Sequence, residues 1–586
     1  MTGLRAGPAS ASRRNFAISP RGSFGLCLRE SAGETALERW SLGVVSQVAV
    51  PWPAVGLESG HTQAIVADSG AVFMTRSLCG HCELTHLDAA LGVSHVLGRF
   101  ARVGLRLVAS PGADHAVAVG FGHDDGRTRL WRIRGGPPVV SEPVVAVPGL
   151  LRGGSWLDPD GTLLVVNQTV DGRTVPAVVD LADGSWRALP LPSAQVVLAS
   201  PGSGSLLIAV ARGRAVQFAL ADPRGTIRDR PGLNTLAGAS RPLAFDPEGR
   251  RLAVVVNRGA RAHLFEYNAA ADTAHEVTVP PGIVRSPAAW QTSRLHVTFS
   301  APRHPTGFAS LHGEPLAWEH SDPLPSAVPA HAEWLPEPER PIEAVVYGGR
   351  DWRYSSHILI ALHGGPEAAW QLGYEPLFQR LATAGIAVLA PNQRGSTGYG
   401  AAHRLAIRDA WGGPDLADIV RLGRRLAAQR EAVGLGAPML YGTSYGGFLA
   451  LLSAACAPDA WSRCVAVSAF LSGAELYADA DTPVRNFIDR LGGQTTIDDH
   501  LGPRDVGRLC SRIRTPLLLV HGERDPLIPV SHSRRLRSAL VAGGRRPGVD
   551  FEYLEVPDAG HDPLEGPAGH RIGERLMQFL THNVES

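Results

Sequence analysis

The sequence predicts two domains of different class: a seven-bladed β-propeller over residues 1–325 and a mostly parallel α/β domain over residues 326–586. Three observations predict this. A turn-and-strand motif recurs through the first three hundred residues, a proline-rich stretch ends it, and short apolar strands then alternate with amphipathic helices. The length of 586 residues exceeds one core, and roughly 100–200 residues per domain allows two to four.

The recurring turns read SPRGS from Ser19, ADSGA from Ala67, SPGAD from Ser110, DPDGT from Asp158, SPGSG from Ser200 and DPEGR from Asp246, with a weaker WQTSR from Trp290. Pro presets φ and Gly supplies positive φ, so these are turns with a mechanism. A β-rich run follows each, among them FGLCLRE, LLVVNQT and RLAVVVN. Copies spaced by roughly 40–50 residues have the length of a four-stranded propeller blade. The competing reading, unrelated hairpins in a sandwich, does not require regular spacing.

SDPLPSAVPAHAEWLPEPERP, from Ser321 to Pro341, reads as the interdomain connection. Beyond it come HILIALHG, GIAVLAPN, the helical DLADIVRLGRRLAAQ, PMLYG, a helix from Tyr445, RCVAVSAF, TPLLLVHG, the helical SHSRRLRSALVAGG, DFEYLEVPD and a last helix near RIGERLMQFLTHN. That alternation implies a parallel sheet with helices on both faces. The Asp-rich segment from Gly473 to Leu501 lacks strand periodicity and reads as an insertion over the site, suited to act as a lid.

Composition removes several function classes. Net charge is +1, so no global field draws the chain to nucleic acid or anionic lipid. All 56 basic residues are arginine, which excludes a Schiff-base lysine and a P-loop lysine. Six cysteines are too few for a disulfide framework, the N-terminus lacks an apolar signal core, and no stretch is long and apolar enough to span a membrane. These features lead us to expect a cytoplasmic enzyme with no membrane partner. CGHCELTH, from Cys79 to His86, offers Cys79, Cys82, His81 and His86 as metal ligands, but no second cysteine pair follows. It reads as an inter-blade hairpin, and neither metal nor cofactor is expected.

The chemistry centres on Gly442-Thr443-Ser444-Tyr445-Gly446, a G-x-S-x-G at a strand-to-helix junction. A serine on so sharp a turn crowds its neighbours, and glycines two residues to either side relieve that. The helix that follows brings N-terminal amides and a dipole suited to a developing oxyanion. A serine needs a base, and in the α/β-hydrolase order Ser precedes Asp or Glu, then His. The strand PLLLVHG ends in ERDPLIP, offering Asp525, and FEYLEVP ends in DAGHD, offering His561. Strand C-terminal ends are where open α/β sheets keep their sites. The triad is therefore Ser444, Asp525 and His561, with Glu523 as a rival for the acid role, Asp558 and Asp562 as alternative loop caps and His521 as a satisfied core histidine. The glycine loop LHGGPEAAW, from Leu362, suits the second oxyanion donor, so Tyr445 N–H and Gly365 N–H are the expected pair.

HGGP from His363, NQRGSTGYG from Asn392, WGGPDLAD from Trp411, GTSYGGF from Gly442, HGERD from His521 and Gly560-His561 together resemble the prolyl oligopeptidase family of serine peptidases, above all its acylaminoacyl-peptidase branch. They cover most of the last 250 residues; the front half resembles the family in architecture only. The resemblance implies a propeller that screens substrates, a short peptide or small acylated substrate cleaved through an acyl-enzyme, and an enzyme that is often a homo-oligomer. Two departures bear on substrate. Leu527 stands where many members place an Arg or Asn that holds a substrate carbonyl, and the propeller shows no adjacent Glu-Glu of the kind the dipeptidyl-peptidase branch uses. Arg394 is read equally as a substrate contact and as a structural ion-pair partner. An esterase or deacylase of a small metabolite, and a propeller interaction protein with an inactive hydrolase domain, remain as alternatives.

Overall fold

The computed structural model describes residues 12–31, 34–42, 48–51, 63–78, 81–88, 93–101, 105–112, 118–134, 140–213, 215–236, 239–313, 317–319, 324–337, 340–565 and 568–581. Two compact units emerge. One comprises 1–256, 263–300 and 305–322; the other comprises 257–262, 301–304 and 323–586.

Among the described residues, the first unit contains seven four-stranded sheets, over 12–51, 63–101, 105–148, 150–188, 194–229, 239–277 and 283–319. Each is a meander in chain order, so each repeat in the sequence is one blade. The first strands of neighbouring blades adjoin one another, apart from blades three and four, where Arg127–Arg134 meets Leu150–Trp156, and the first strand of blade seven, Ile283–Gln291, touches Ser12–Ile18 of blade one. The ring is thereby closed with the first strands innermost: a seven-bladed propeller.

In every blade but the third, where residues 113–117 lie outside the described residues, the recurring turn joins the first and second strands. In blade four the Asp158 carboxylate accepts from Thr162 N–H, Thr162 Oγ1 and Leu163 N–H, while Gly161 takes φ 68°. In blade six Asp246 does the same for Arg250 and Arg251 N–H. Blades pack through alternate apolar residues, as where Val165 and Val178 meet Leu206 and Ile208. Cys79 lies outside the described residues, and Cys82 is buried in a strand pair within blade two, not between blades as expected, because His81–Asp88 pairs with Val72–Leu78 of the same sheet.

The second unit is built on one eight-stranded sheet. Its strands are β1 (Ala330–Leu335), β2 (Ile342–Tyr347), β3 (His357–Leu362), β4 (Ile386–Pro391), β5 (Met439–Thr443), β6 (Cys464–Val467), β7 (Leu517–Gly522) and β8 (Phe551–Val556), in the order β1-β2-β4-β3-β5-β6-β7-β8. β1 and β2 pair antiparallel at one edge; β4, β3 and β5 to β8 run parallel. The central strands are continuous buried runs such as HILIAL and LLLVHG because helices cover both faces. The helices are α1 (Pro376–Thr383), α2 (Pro414–Glu431), α3 (Tyr445–Cys456), α4 (Gly473–Asp479), α5 (Thr482–Leu491), α6 (Ser531–Ala542) and α7 (Gly569–Thr581), besides shorter turns.

Two features differ from the sequence reading. β1 lies inside the proline-rich stretch expected to be a connection, and it forms the edge of the catalytic sheet. The insertion after β6 is largely helical, α4 and α5, followed by a two-stranded ribbon, Asp498–Asp499 with Gly502–Pro503.

Candidate active site

β5 ends at Thr443 and α3 starts at Tyr445, which leaves Ser444 alone on the turn at φ 57° and ψ −121°. That backbone is costly for a residue with a Cβ and persists only where the surroundings fix it. Here Ser444 N–H donates to Val467 O at 2.8 Å and its carbonyl accepts from Phe448 N–H. The flanking glycines have a steric cause. A Cβ on Gly442 would stand 2.0 Å from Gly446 O, and one on Gly446 would stand 2.4 Å from Leu362 O. Strand, helix and the neighbouring strand end cross too closely for any side chain.

Asp525 follows β7, and His561 lies in the loop after β8. His561 Nδ1 donates to Asp525 Oδ2 at 2.7 Å. The other carboxylate oxygen accepts from Leu527 and Ile528 N–H at 2.8 and 2.9 Å. His521, inside β7, also reaches Asp525 Oδ2, at 3.3 Å from Nε2. Ile528 O can only accept, so Nε2 carries hydrogen, and Nδ1 meets Ser533 Oγ at 2.7 Å. Burial opposes ionisation of Asp525, but the donors from His521, His561 and Ile528 outweigh it and hold the carboxyl well below its ordinary range. At His561 burial likewise disfavours charge, and the Asp525 hydrogen bond and charge override it, so the imidazole pKa is raised.

Ser468, just past β6, ties the parts together. Its Oγ donates to His561 O at 2.7 Å, and the adjacent Val467 O is the acceptor for Ser444 N–H. The histidine loop and the serine turn therefore hang from consecutive residues. Among the described residues no hydrogen bond joins Ser444 Oγ to the His561 ring; catalytic contacts of this kind are often long until substrate binds.

The glycine loop after β3 lies against the serine. A Cβ on Gly364 would stand 3.3 Å from Ser444 Cβ and 3.9 Å from its Oγ. Gly365, the next residue, has φ 119°, and a Cβ there would press to 2.9 Å on Glu367 N. His363 pins the loop: Nδ1 donates to Gly364 O, and Nε2 meets Ser396 Oγ at 2.8 Å. Burial pushes this imidazole down to about 4, so it stays neutral. Glu367 pairs with Arg404 and with Arg490 of α5, which links the loop to the insertion.

On the other side, Tyr445 OH donates to Asp415 Oδ2 at 2.6 Å and accepts from Gly412 N–H at 3.2 Å. The residue whose N–H is expected to stabilise the oxyanion is thus held by its side chain to the WGGPD segment. Asp415 is fully buried, and burial raises it to about 6 despite the Tyr445 bond.

Of the remaining candidates, Arg394 forms a bidentate ion pair with Asp418, at 2.6 Å from Nη2 and 3.0 Å from Nε, and also donates to Pro414 O. Leu527 exposes 44% of its surface, while its N–H braces Asp525. Glu523 accepts from Asp558 N–H, and Asp558 pairs with exposed Arg524, so each has a partner away from the histidine ring. Sequence reasoning missed Ser468 and Asp415. Asp415 lies in a quoted motif, but its partner is 30 residues away; nothing local marks Ser468.

The family model for the prolyl oligopeptidase family matches residues 373–586. The acylamino-acid-releasing enzyme of Arabidopsis thaliana is 25% identical over 245 residues, covering 39% of this chain and 31% of that protein. Such alignments span about a third of the curated relatives' length. Among solved structures, the Pyrococcus horikoshii acylaminoacyl peptidase superposes with a TM-score of 0.73 at 14% identity, covering 98% of this chain and 96% of its own. A Mycobacterium tuberculosis puromycin-hydrolyzing peptidase superposes at 0.71 and 17% identity, covering 98% and 94%. The two-unit fold of this chain is thus shared from end to end.

Proposed function

We propose that this chain, whose C-terminal unit carries the prolyl oligopeptidase family match, is a serine peptidase that cleaves amide bonds of short or N-acylated peptides through an acyl-enzyme. The observation that carries the proposal is the pairing of His561 with an ionised Asp525 on loops tethered beside the strained Ser444 turn. In this reading the Ser444 hydroxyl attacks the substrate carbonyl while its proton passes to His561 Nε2. Asp525 holds the hydrogen on Nδ1 and stabilises the imidazolium. Tyr445 N–H and Gly365 N–H stabilise the oxyanion. His561 then protonates the leaving amine, and water repeats the sequence on the ester to free the acid and restore Ser444. The activities named for the Arabidopsis and Mycobacterium proteins, acylamino-acid release and puromycin hydrolysis by a peptidase, support a hydrolytic peptidase reading.

A second reading, an esterase or deacylase of a small acylated metabolite, is favoured by Leu527. Its apolar, half-exposed side chain cannot clamp a peptide carbonyl. Comparing kcat/KM on aminoacyl nitroanilides, N-acyl peptides and p-nitrophenyl esters separates the two. Amide turnover is expected, and turnover of esters alone would overturn the peptidase reading. Fluorophosphonate labelling of the wild type but not of Ser444→Ala is expected as well. Absence of wild-type labelling would favour a binding module.

A further inference from the structure

Within the propeller unit, a cavity of about 370 Å³ lies between blades three and four, lined in part by Arg106, Phe121, His123, Leu150 and Arg152. That volume is in the range of small-ligand sites, roughly 300–1,000 Å³. Arg106 sits on the innermost strand of blade three, Leu105–Ala109, directly opposite Phe121 on the next strand. Its guanidinium stacks 4.2 Å over that ring. Its Nη2 is buried with no hydrogen-bond partner, and burial lowers its affinity for its proton. Arg152 projects from the innermost strand of blade four, Leu150–Trp156, and is exposed. Register shifts immediately after it, between Arg152 and Ser155, with Gly153 and Gly154 at φ 75° and 129°. A bulge of this kind re-aims a side chain. A Cβ on Gly154 would stand 3.8 Å from both Arg106 Nη1 and the Phe121 ring, so the glycine keeps that wall thin.

Neither arginine forms an ion pair with a carboxylate among the described residues. A guanidinium buried against an aromatic ring without an anion is an uncompensated charge, and the same cavity presents a second, solvent-exposed guanidinium. The innermost strands of blades six and seven also carry arginines, Arg241 and Arg285, with Arg241 Nη2 donating to Val284 O. Burial first, and the Arg285 charge second, lower Arg241's hold on its proton. The starts of the innermost strands of blades three, four, six and seven therefore carry local positive charge in a chain of near-zero net charge, which concentrates small anions. Phe121 and Leu150 add apolar surface beside the two guanidiniums, which suits a carboxylate attached to an apolar residue better than a free inorganic anion.

We propose that the cavity between blades three and four binds the C-terminal carboxylate of a short peptide with an apolar last residue. Arg106 and Arg152 hold the carboxylate, and Phe121 and Leu150 meet the side chain. Arg–carboxylate pairs are charge-assisted and well matched in shape, so much of the affinity rests on the free acid.

The test is calorimetric titration of the Ser444→Ala protein with N-acetyl-Ala-Ala-Phe as free acid and as C-terminal amide. The free acid is expected to bind at least tenfold more tightly. Arg152→Gln, an exposed change with little effect on folding, and the Arg106→Gln/Arg152→Gln pair should each remove most of that difference and leave the amide unchanged. Thermal unfolding of both variants checks that the propeller is intact. Equal affinity for acid and amide, no binding of either, or an acid preference that survives in folded variants would overturn the proposal. So would displacement of the acid by inorganic phosphate at matched concentration, since that would mark a general anion site. Because binding is read on the Ser444→Ala protein, these outcomes are independent of whether the chain hydrolyses the peptide. Failure of fluorophosphonate labelling would strike the catalytic reading and leave this one standing.

Discussion

Replacing Asp525 by Asn tests the role of the carboxylate most sharply, because its surroundings dictate how the amide must sit. Leu527 and Ile528 N–H both point at Oδ1, at 2.8 and 2.9 Å. An asparagine keeps those bonds only by placing its oxygen there. The NH2 group then occupies the position of Oδ2, facing His561 Nδ1 at 2.7 Å and the Nε2–H of His521 at 3.3 Å. Two donors cannot share the His561 contact, so Nδ1 must become the acceptor and Nε2 must carry the hydrogen. That tautomer cannot take the proton from Ser444. Loss of kcat by about 10⁴-fold is expected, near 5.5 kcal/mol of transition-state stabilisation. Asp525→Ala leaves a gap that imposes no tautomer, so the Asn variant should be no more active than the Ala variant despite being closer in shape. The assay is kcat on whichever substrate the wild type turns over, alongside the rate of fluorophosphonate labelling. An Asn variant within tenfold of wild type, or well above the Ala variant, would refute the reasoning.

Ser444→Ala should lower kcat by at least roughly 10³-fold and abolish fluorophosphonate labelling. The general base must be neutral, and Asp525 raises the His561 pKa. The acidic limb of kcat/KM should therefore lie above the ordinary imidazole value of about 6.5, with activity falling as pH drops through it. A flat profile from about pH 5 to 9 would remove His561 from that role. Gly442→Ala forces a Cβ to 2.0 Å from Gly446 O. Since overpacking costs about 3 kcal/mol or more in such a site, we expect a large loss of thermal stability in differential scanning calorimetry. Tyr445→Phe leaves buried Asp415 without its phenol donor, which should destabilise by about 1–3 kcal/mol in urea titration.

The parts of this molecule that could be read from its sequence are those whose physics is local. A Pro–Gly turn needs only its own residues, so DPDGT and DPEGR mark blade hairpins at sight, and their recurrence gives the ring. The G-x-S-x-G turn is legible for the same reason, although the clash that requires Gly446 comes from Leu362, on another strand. β1 was hidden because the prolines around AHAEWL dominate the local signal, while its pairing with β2 arises from tertiary contact. Arg394 shows the limit of a motif: the residues around it cannot tell a substrate contact from a bond to Asp418, 24 residues away. Ser468 and Asp415 have no local signature because each acts through a partner on another element.

Two buried carboxylates flank the site, and the difference between them explains where its charge resides. Asp415 receives the Tyr445 phenol and leaves its second oxygen buried without a partner, so burial dominates and raises it to about 6. Asp525 is buried too, but it gathers two backbone N–H groups and two imidazoles, and it stays ionised. The number of aimed donors, not depth, separates them. A fixed negative charge beside His561 is useful only while the imidazole is becoming positive, which is the moment of proton transfer from Ser444. Asp415 faces no such developing cation; its carboxyl serves to hold the Tyr445 side chain, and with it the backbone N–H that follows the serine. On this reading Asp415→Asn, which keeps an acceptor for the phenol, preserves activity where Asp525→Asn abolishes it, although both remove one buried carboxylate.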